Sequence, residues 1–267
     1  MLSSPVFLEK NIVTSIVFVH YMPNDVIIIP TYNERENVIT LVPKIFSVVP
    51  WVSVLVVDDN SPDGTAAAVH HLQSIFPRLS LLKRPSKEGL GCAYIHAFGV
   101  VLADPGVTTI TMMDADHSHD PQYLPAMFAA SHAGATVVVG SRHMRGGATV
   151  GWELWRRVLS FGGNLYCRLI TRLPIYDCTG GFNIIHASLL RRIDFSTFDL
   201  SGYAFIMELK YALWKAGREQ ASLSSQAGGV FKEIPIIFRN RVEGESKLSR
   251  HIVSEGIIAP WKMIFKK

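Results

Sequence analysis

Between residues 26 and 140, short apolar runs alternate with stretches whose apolar positions recur every three or four residues. That alternation predicts a sheet fed by βα units. The runs at 26–29, 52–57, 79–82, 108–113 and 136–139 predict strands, and the stretches at 34–48, 65–76, 90–102 and 121–132 predict helices. In open sheets of this kind ligands gather beyond the carboxyl ends of the strands, so the residues just after each run carry the functional reading. From Gly151 the pattern changes. Aromatic and aliphatic residues mix with arginines from Trp152 to Tyr166, as in a helix that lies on a membrane with its arginines on a phosphate, or in a buried helix with two stray arginines. Glu208 falls on a further helix, as a core partner for a cation or an active-site group, and 234–238 predicts a last strand. A polar loop follows in which Arg241 and Lys247 flank Gly244, a device for closing over a diphosphate or simply a solvated loop.

With 267 residues, 48% hydrophobic and 18% charged, the chain can bury the core of one large domain, or of one domain with an appendage, and is not disordered. The net charge of +4 is mild, but Arg142, Arg145, Arg156, Arg157, Arg168 and Arg172 face a lone acid, Glu153, in their segment. Such clustering suits a phosphate or an acidic membrane surface as well as an ordinary solvated face. Nucleic acid is disfavoured, because no binding motif accompanies the basic residues. Cys92, Cys167 and Cys178 form no C-x-x-C pair and no zinc spacing, as expected of reduced, structural thiols in a cytosol-facing protein. No run reaches the roughly 18–20 apolar residues that span a bilayer. Residues 1–25 are a leader without a signal-peptide cleavage pattern; Met22 is the expected true start, which intact-mass detection of residues 1–21 would exclude.

Candidate chemistry centres on Asp114-Ala115-Asp116-His117-Ser118-His119-Asp120-Pro121, where a β-prone run ends in two carboxylates one residue apart. Such carboxylates are hard oxygen ligands for Mg2+ or Mn2+ alongside substrate diphosphate oxygens, although an isolated D-x-D is more often a solvated turn. After the first strand, Tyr32 offers a ring for a nucleobase and Asn33 or Thr31 a helix cap. After the second, Asp58 and Asp59 point to opposite faces, so one can support the loop while Asp59 reaches a base edge or ribose, and Asn60 to Thr65 supply the turn and the next cap. Gly89 and Gly91 begin a dinucleotide fingerprint that fails at Tyr94, which argues against an NAD site; they fit a helix start brought close to a phosphate or to the acidic loop. No P-loop motif occurs. Arg142 ends the fifth strand, placed to contact a carboxylate or a sugar. His117, His119 and His143 have no metal-site spacing and read as surface or packing residues.

Together, P-T-Y-N-E-R-E-N at 30–37, V-D-D-N-S-P-D-G-T at 57–65, G-L-G-x-A-Y-I-H at 89–96, M-D-A-D at 113–116, G-S-R at 140–142 and R-V-x-G-E-S-K at 241–247 resemble the dolichol-phosphate mannosyltransferase family, in its order. The resemblance implies an α/β chain of GT-A (nucleotide-diphospho-sugar transferase) fold, a Rossmann-like mixed sheet flanked by helices. It implies an inverting enzyme that moves mannose from GDP-mannose to dolichyl phosphate on the cytosolic face of the endoplasmic reticulum, for protein glycosylation and GPI-anchor synthesis. It divides the chain into the leader, a catalytic domain over 26–250, and an amphipathic, membrane-proximal segment over 251–267. By the same resemblance Pro30, Tyr32, Glu34, Val57 and Asp59 hold the guanosine, and Asp114, Ala115 and Asp116 hold the ribose, diphosphate and metal, with Ser118 at a further metal-side position. Arg142 faces the donor's sugar or diphosphate, Arg241 and Lys247 belong to the closing loop, and Arg156 with Ser160 take the acceptor phosphate. The catalytic set it implies is Asp116, Arg142, Arg241 and Lys247. Phe161 and Asn183 stand where the family commonly has arginine. With no spanning helix before Lys267, the chain resembles the soluble members held by small membrane-anchoring subunits, or a truncated one. The rival expectations are a polyprenyl-phosphate glucosyltransferase using UDP-glucose and a non-catalytic nucleotide-sugar-binding subunit.

Overall fold

A computed structural model describes residues 24–200, 202–223, 230–239 and 250–265. In its first half, β1 (Asn24–Thr31), β2 (Ser53–Asp58), β3 (Leu79–Lys83), β4 (Val107–Met112) and β5 (Val137–Ser141) alternate with α1 (Arg35–Val48), α2 (Thr65–Gln73), α3 (Leu90–Leu102) and α4 (Leu124–His132). Then come β6 (Ala148–Val150), α5 (Leu154–Thr171), β7 (Asn183–His186), the short α6 (Ala187–Leu190), α7 (Gly202–Leu223), β8 (Phe231–Pro235), β9 (Ile237–Arg239) and α8 (Arg250–Phe265). The main sheet runs β3-β2-β1-β4-β7-β5-β8, with β7 antiparallel to both neighbours, and β6 pairs with β9 in a small second sheet.

The central strands are apolar at successive positions because helices cover both faces. Along them the pleat divides the side chains into two cores. Val26, Ile28, Val57, Ile110 and Met112 meet Tyr94 and Phe98 of α3 and Phe205 and Leu209 of α7 on one side. On the other, Ile27, Ile29, Val54 and Val56 meet Leu41 of α1, Val69 of α2 and Phe128 of α4. α8 joins the first core through Ala259 and Met263.

Several expectations shift. The helix expected over 121–132 opens as a 3-10 turn, Pro121–Tyr123, because the Asp120 carboxylate takes the Gln122 N–H at 3.0 Å and Pro121 has none to give. The strand expected over 234–238 is two strands. Its chain leaves β5 after Pro235, passes the buried Ile236, and pairs with β6 from Ile237. Neither Asn33 nor Thr31 caps α1: Asn33 is left-handed at φ 60° and the Thr31 hydroxyl is spent on Val57 O and the Asp58 carboxylate. The capping comes from the next loop instead, through Thr65 Oγ1 to Glu34 N–H at 3.1 Å and Asp63 Oδ2 to Arg35 N–H at 3.0 Å. Gly91 makes its close approach to the backbone of Leu200, whose carbonyl oxygen lies 2.7 Å from where a Cβ would stand, and not to the acidic loop. Residues 1–23 of the leader, Arg241, Lys247 and the tail beyond Phe265 lie outside the described residues, whereas Asn24 and Asp25, expected in the leader, belong to β1.

Candidate active site

β1, β2, β4 and β5 run parallel, so Thr31, Asp58, Met112 and Ser141 all end at one edge. At that edge the two successive acids after β2 divide as the pleat requires. Asp58 is fully buried and supports the loop, accepting from the Thr31 hydroxyl at 3.2 Å, Ser61 N–H at 3.1 Å and the Ser61 hydroxyl at 2.5 Å. Asp59 turns the other way and is held by the Arg84 guanidinium at 2.7 Å, whose second arm reaches Glu88 at 2.6 Å. Tyr32 remains exposed with the Lys87 ammonium 3.8 Å above its ring. Glu34, beside it, accepts from the Asn37 amide at 2.6 Å. Pro30 and Val57 are paired in register on β1 and β2 beneath this end. Residues 30, 32, 34, 57, 59 and 84 thus gather at the carboxyl ends of the adjacent strands β1, β2 and β3. Burial of Asp63 works against its charge, yet the Thr65 hydroxyl and the N–H groups of Arg35 and Thr65 hold its carboxyl below the ordinary carboxylate value, which keeps this double cap ionised.

The acidic turn follows β4. Asp114 keeps about a third of its side chain exposed, Ala115 is buried, and Asp116 is nearly buried. Ser118, itself buried, gives both its N–H at 3.1 Å and its hydroxyl at 2.6 Å to Asp116 Oδ1, which fixes the direction of that carboxylate. His117, left-handed at φ 59°, meets the Thr40 hydroxyl at 2.8 Å. His119 is buried face to face with Phe182 at 4.9 Å and edge-on to Phe238 at 5.7 Å. Its Nδ1 accepts the Asp114 N–H at 2.9 Å, so the ring carries its proton on Nε2, 3.8 Å from Asp114 Oδ2. Burial lowers its pKa against the pull of Asp114 and Asp116, so it props the turn as a neutral imidazole. Two carboxylates one residue apart, both anchored by neighbours, are hard-oxygen chemistry suited to Mg2+ or Mn2+ that completes its shell with substrate oxygens. The residues present fit such an ion.

At the end of β5, Arg142 is nearly buried and forked onto Asp177, Nε to Oδ2 and Nη2 to Oδ1 both at 2.7 Å, with Nη2 also giving to the Thr179 hydroxyl at 2.7 Å. Burial opposes the charge on Asp177, but Arg142 and Lys210 hold its carboxyl well below the usual range. The whole 176–180 turn is clasped this way. Asn164 Oδ1 accepts from Cys178 N–H at 2.7 Å, Glu233 accepts from the Tyr176 and Asp177 N–H groups, and the fully buried Lys210 ammonium gives to the carbonyls of Asp177 and Gly180 at 2.8 Å each. Asn183 gives its amide to that same Gly180 carbonyl at 3.1 Å. Above the turn lies a cavity of about 310 Å³ between α5 and α8. One end is polar, with Arg142, Arg156, Ser160 and Thr179; the other, with Tyr166, Met207, Gly256 and Ile257, is mostly apolar. The Ser160 hydroxyl is 3.1 Å from His143 Nε2, and the exposed Phe161 sets its edge against His143 at 6.2 Å.

The structure therefore gathers Asp59, Asp114, Asp116 and Arg142 at one sheet edge and puts Arg156 and Ser160 in a cavity that Arg142 also lines. It adds Arg84, Asp177 and Lys210, which sequence reasoning passed over. The sequence showed Arg84 only as a cation closely following a strand, since its meeting with Asp59 depends on β3 pairing with β2; Asp177 and Lys210 had no signal, since they lie 33 residues apart and meet only through the fold.

The glycosyl transferase family 2 model matches residues 26–194. The chain is 38% identical over 238 residues to the polyprenol monophosphomannose synthase of Mycolicibacterium smegmatis, covering 88% of this chain and 85% of that protein. It is 37% identical over 231 residues to the undecaprenyl-phosphate mannosyltransferase of Micrococcus luteus, covering 86% and 90%. Among solved structures it resembles a mannosyltransferase from Pyrobaculum calidifontis in complex with GDP-mannose and Mn2+, with a TM-score of 0.57 at 17% identity over 92% of this chain and 65% of that one. It also resembles the glucosyl-3-phosphoglycerate synthase of Mycobacterium tuberculosis in complex with Mn2+, UDP-glucose and phosphoglyceric acid, with a TM-score of 0.60 at 16% identity over 89% and 79%. The fold is GT-A.

Proposed function

We propose that this chain, which belongs to glycosyl transferase family 2, transfers mannose from GDP-mannose to the phosphate of a polyprenyl phosphate with inversion at the anomeric carbon. The observation that carries the reading is a cavity, polar at Arg142, Arg156 and Ser160 and apolar at Tyr166, Met207 and Ile257, that is linked to the acidic turn through Phe238, which meets Arg142 at 5.5 Å and His119 at 5.7 Å. A lipid phosphate is an acceptor with those two ends. The two bacterial relatives named for polyprenyl-phosphate mannose transfer support it.

On this reading Pro30, Tyr32, Glu34, Val57 and Asp59 bind the guanosine, with Arg84 orienting Asp59, and Asp114, Ala115 and Asp116 hold the ribose, diphosphate and divalent ion. The bound ion supplies charge neutralisation on the leaving diphosphate. Arg156 and the Ser160 hydroxyl hold the acceptor phosphate, whose oxygen is already anionic near neutral pH. It attacks the anomeric carbon as the bond to the diphosphate oxygen breaks, the electron pair leaves on GDP, and no proton has to be removed by a protein base. Arg142, fixed by Asp177, stands at the junction of donor and acceptor and lends its charge where negative charge from both partners meets. By the resemblance of the R-V-x-G-E-S-K motif, Arg241 and Lys247 bind the diphosphate.

The finer reading is dolichyl phosphate as acceptor, on the cytosolic face of the endoplasmic reticulum membrane, with small membrane subunits as partners and dolichyl mannosyl phosphate serving protein glycosylation and GPI-anchor synthesis. What supports it is the motif set at 30–37, 57–65, 113–116 and 241–247 and the apolar side chains exposed on α5 and α8. The test is transfer of radiolabelled sugar from GDP-mannose or UDP-glucose to dolichyl phosphate or undecaprenyl phosphate, with and without Mn2+. Metal-dependent labelling from GDP-mannose is expected. No labelling of either lipid refutes the function, and preference for UDP-glucose refutes the donor. Labelling of undecaprenyl phosphate alone refutes the dolichyl reading and keeps the function.

A further inference from the structure

Trp152, in the linker between β6 and α5, touches more charge than any sequence pattern announces. The Arg156 guanidinium lies 4.2 Å from the centre of its ring and that of Arg142 5.8 Å. Its other neighbour is Phe238, edge-on at 5.6 Å, and Phe238 in turn meets Arg142 at 5.5 Å and His119 at 5.7 Å. Trp152, Arg142, Arg156 and Ser160 all line the one cavity. The indole N–H makes no hydrogen bond among the described residues, so the ring is set by its stacking contacts and not by a polar tether.

We infer that Trp152 is the positioning residue of the acceptor subsite: its ring face holds the Arg156 guanidinium at the polar end of the cavity in the orientation that receives a lipid phosphate. The inference rests on the reading that Arg156 binds the acceptor phosphate. The physical case is short. An arginine side chain loses much rotamer freedom when it must meet a phosphate in one geometry, and a planar surface that pre-orients the guanidinium removes part of that cost before binding. With its central carbon over the indole face, the guanidinium is held beside the cavity that Trp152, Arg156 and Ser160 line. Half-burial of both residues makes the contact stronger than an exposed one. Because the indole N–H is uncommitted, phenylalanine retains the part of Trp152 that the geometry uses, whereas leucine fills space without an aromatic face.

The experiment measures farnesyl phosphate binding by calorimetry to the full chain in the presence of Mn2+ and GDP, for wild type, Trp152→Phe, Trp152→Leu, Arg156→Ala and the Trp152→Leu/Arg156→Ala double variant. Trp152→Leu is expected to weaken binding about tenfold. Trp152→Phe should stay within about threefold of wild type, and the double variant should bind no more weakly than Arg156→Ala alone. In turnover the Trp152→Leu change should fall on KM for the lipid phosphate, not on KM for GDP-mannose. Equal effects of Phe and Leu, or a Trp152→Leu loss that persists undiminished when Arg156 is already alanine, overturn the inference, since the residue then acts by shape or independently of Arg156. Should Trp152→Leu fail to fold, Arg156→Lys supplies the second arm: it keeps the charge, loses the planar stack and should weaken binding about tenfold, and wild-type affinity in that variant overturns the inference. A wild type that binds farnesyl phosphate in this pattern but transfers no mannose sinks the proposed function and leaves the inference standing. A wild type that binds none overturns the inference.

Discussion

At the scale of single residues, the acidic turn shows how much of a site is made by side chains that touch no substrate. Asp116 is aimed by two hydrogen bonds from Ser118, and Asp114 is tied through its N–H to a neutral His119. On the proposed reading, replacing Asp116 by alanine removes a carboxylate from the metal site and is expected to abolish Mn2+-dependent transfer. Replacing Ser118 by alanine leaves the carboxylate but releases its direction, and should cost about 10–100-fold in metal affinity; titration of Mn2+ in the GDP-binding assay reads this directly, and an unchanged affinity shows that Ser118 does not orient Asp116. The D-x-D spacing was legible because a strand that ends in alternating acids is unusual. The role of Ser118 was not, because the same hydroxyl two residues on reads equally as ligand, cap or solvent group until its neighbours are placed. The split of Asp58 from Asp59 was legible from the pleat alone, whereas the Arg84 clasp on Asp59 required knowing that β3 lies beside β2. A titration prediction belongs at this scale as well. Burial lowers the pKa of His186, which meets Ser131 Oγ at 3.1 Å with Asp25 and His132 nearby, so the folded chain resists a proton that the unfolded chain accepts. Stability is then complete above the unfolded value near 6.5 and declines as pH falls below it. Burial lowers His119 and His143 in the same direction. His186→Gln should flatten, but not abolish, the loss of urea midpoint between about pH 6.5 and 5; an identical slope in the variant removes His186 from the account.

At the scale of elements, the βα units were readable because each has its own local signature, an apolar run or a helical period. What went unread was short or non-local. β7 is four residues long and antiparallel, and its place between β4 and β5 is decided by pairing with both, not by any alternation of its own. The 176–180 turn has no period of its own, and the fold clasps it with groups from α5, α7 and β8 and with Arg142 after β5. Its keystone is Asp177, fully buried between Arg142 and Lys210. Asp177→Asn keeps the shape and removes the charge, leaving the buried Arg142 guanidinium without its ion-pair partner. Loss of one partner from a buried ion pair costs about 3–5 kcal/mol, so the variant should unfold at a clearly lower urea concentration. The carboxyl's pKa is depressed, so its stabilising contribution is present above the unfolded value near 3.9 and is lost as pH falls towards the depressed one. The difference between wild type and Asp177→Asn should therefore hold constant between pH 7 and pH 5. A difference that vanishes by pH 5 contradicts the assignment of Asp177 as a persistently charged group.

At the scale of the whole molecule, the sheet edge proposed to hold the donor and the cavity proposed to hold the acceptor are built by different layers. The sheet edge supplies Asp59, Asp114 and Asp116, while α5 and α8, which join the first core through Cys167, Ala259 and Met263, supply much of the cavity wall. Those two helices are held together by Tyr166, whose hydroxyl gives to the Ile257 carbonyl at 3.0 Å and accepts from the Trp261 indole at 2.6 Å. Each leaves apolar side chains in water: Leu154, Val158, Phe161, Leu165 and Leu169 recur every three or four residues on α5, and on α8 the adjacent Ile257 and Ile258 are followed by Trp261 and Phe265. Exposed apolar area gathered on neighbouring helices is costly in a protein that stays in water, and arginines 157, 168 and 172 accompany it. None of the described helices is long and apolar enough to cross a bilayer. A helix pair of this kind fits the boundary between headgroups and acyl chains, with the cavity beside it opening where a lipid phosphate lies. Introducing one charge into each half of the α5 stripe, as in the Val158→Glu/Leu165→Glu double variant, tests this without touching the cavity residues Arg156 and Ser160. Co-sedimentation with vesicles rich in anionic lipid should fall at least about tenfold, since each glutamate both removes apolar burial and meets a negative surface. Transfer to a lipid phosphate presented in those vesicles should fall with it, while transfer to a short, detergent-dispersed isoprenyl phosphate should fall much less. Unchanged sedimentation would place the membrane contact elsewhere on the chain, and equal loss with both acceptors would mean that the stripe serves the cavity and not the bilayer.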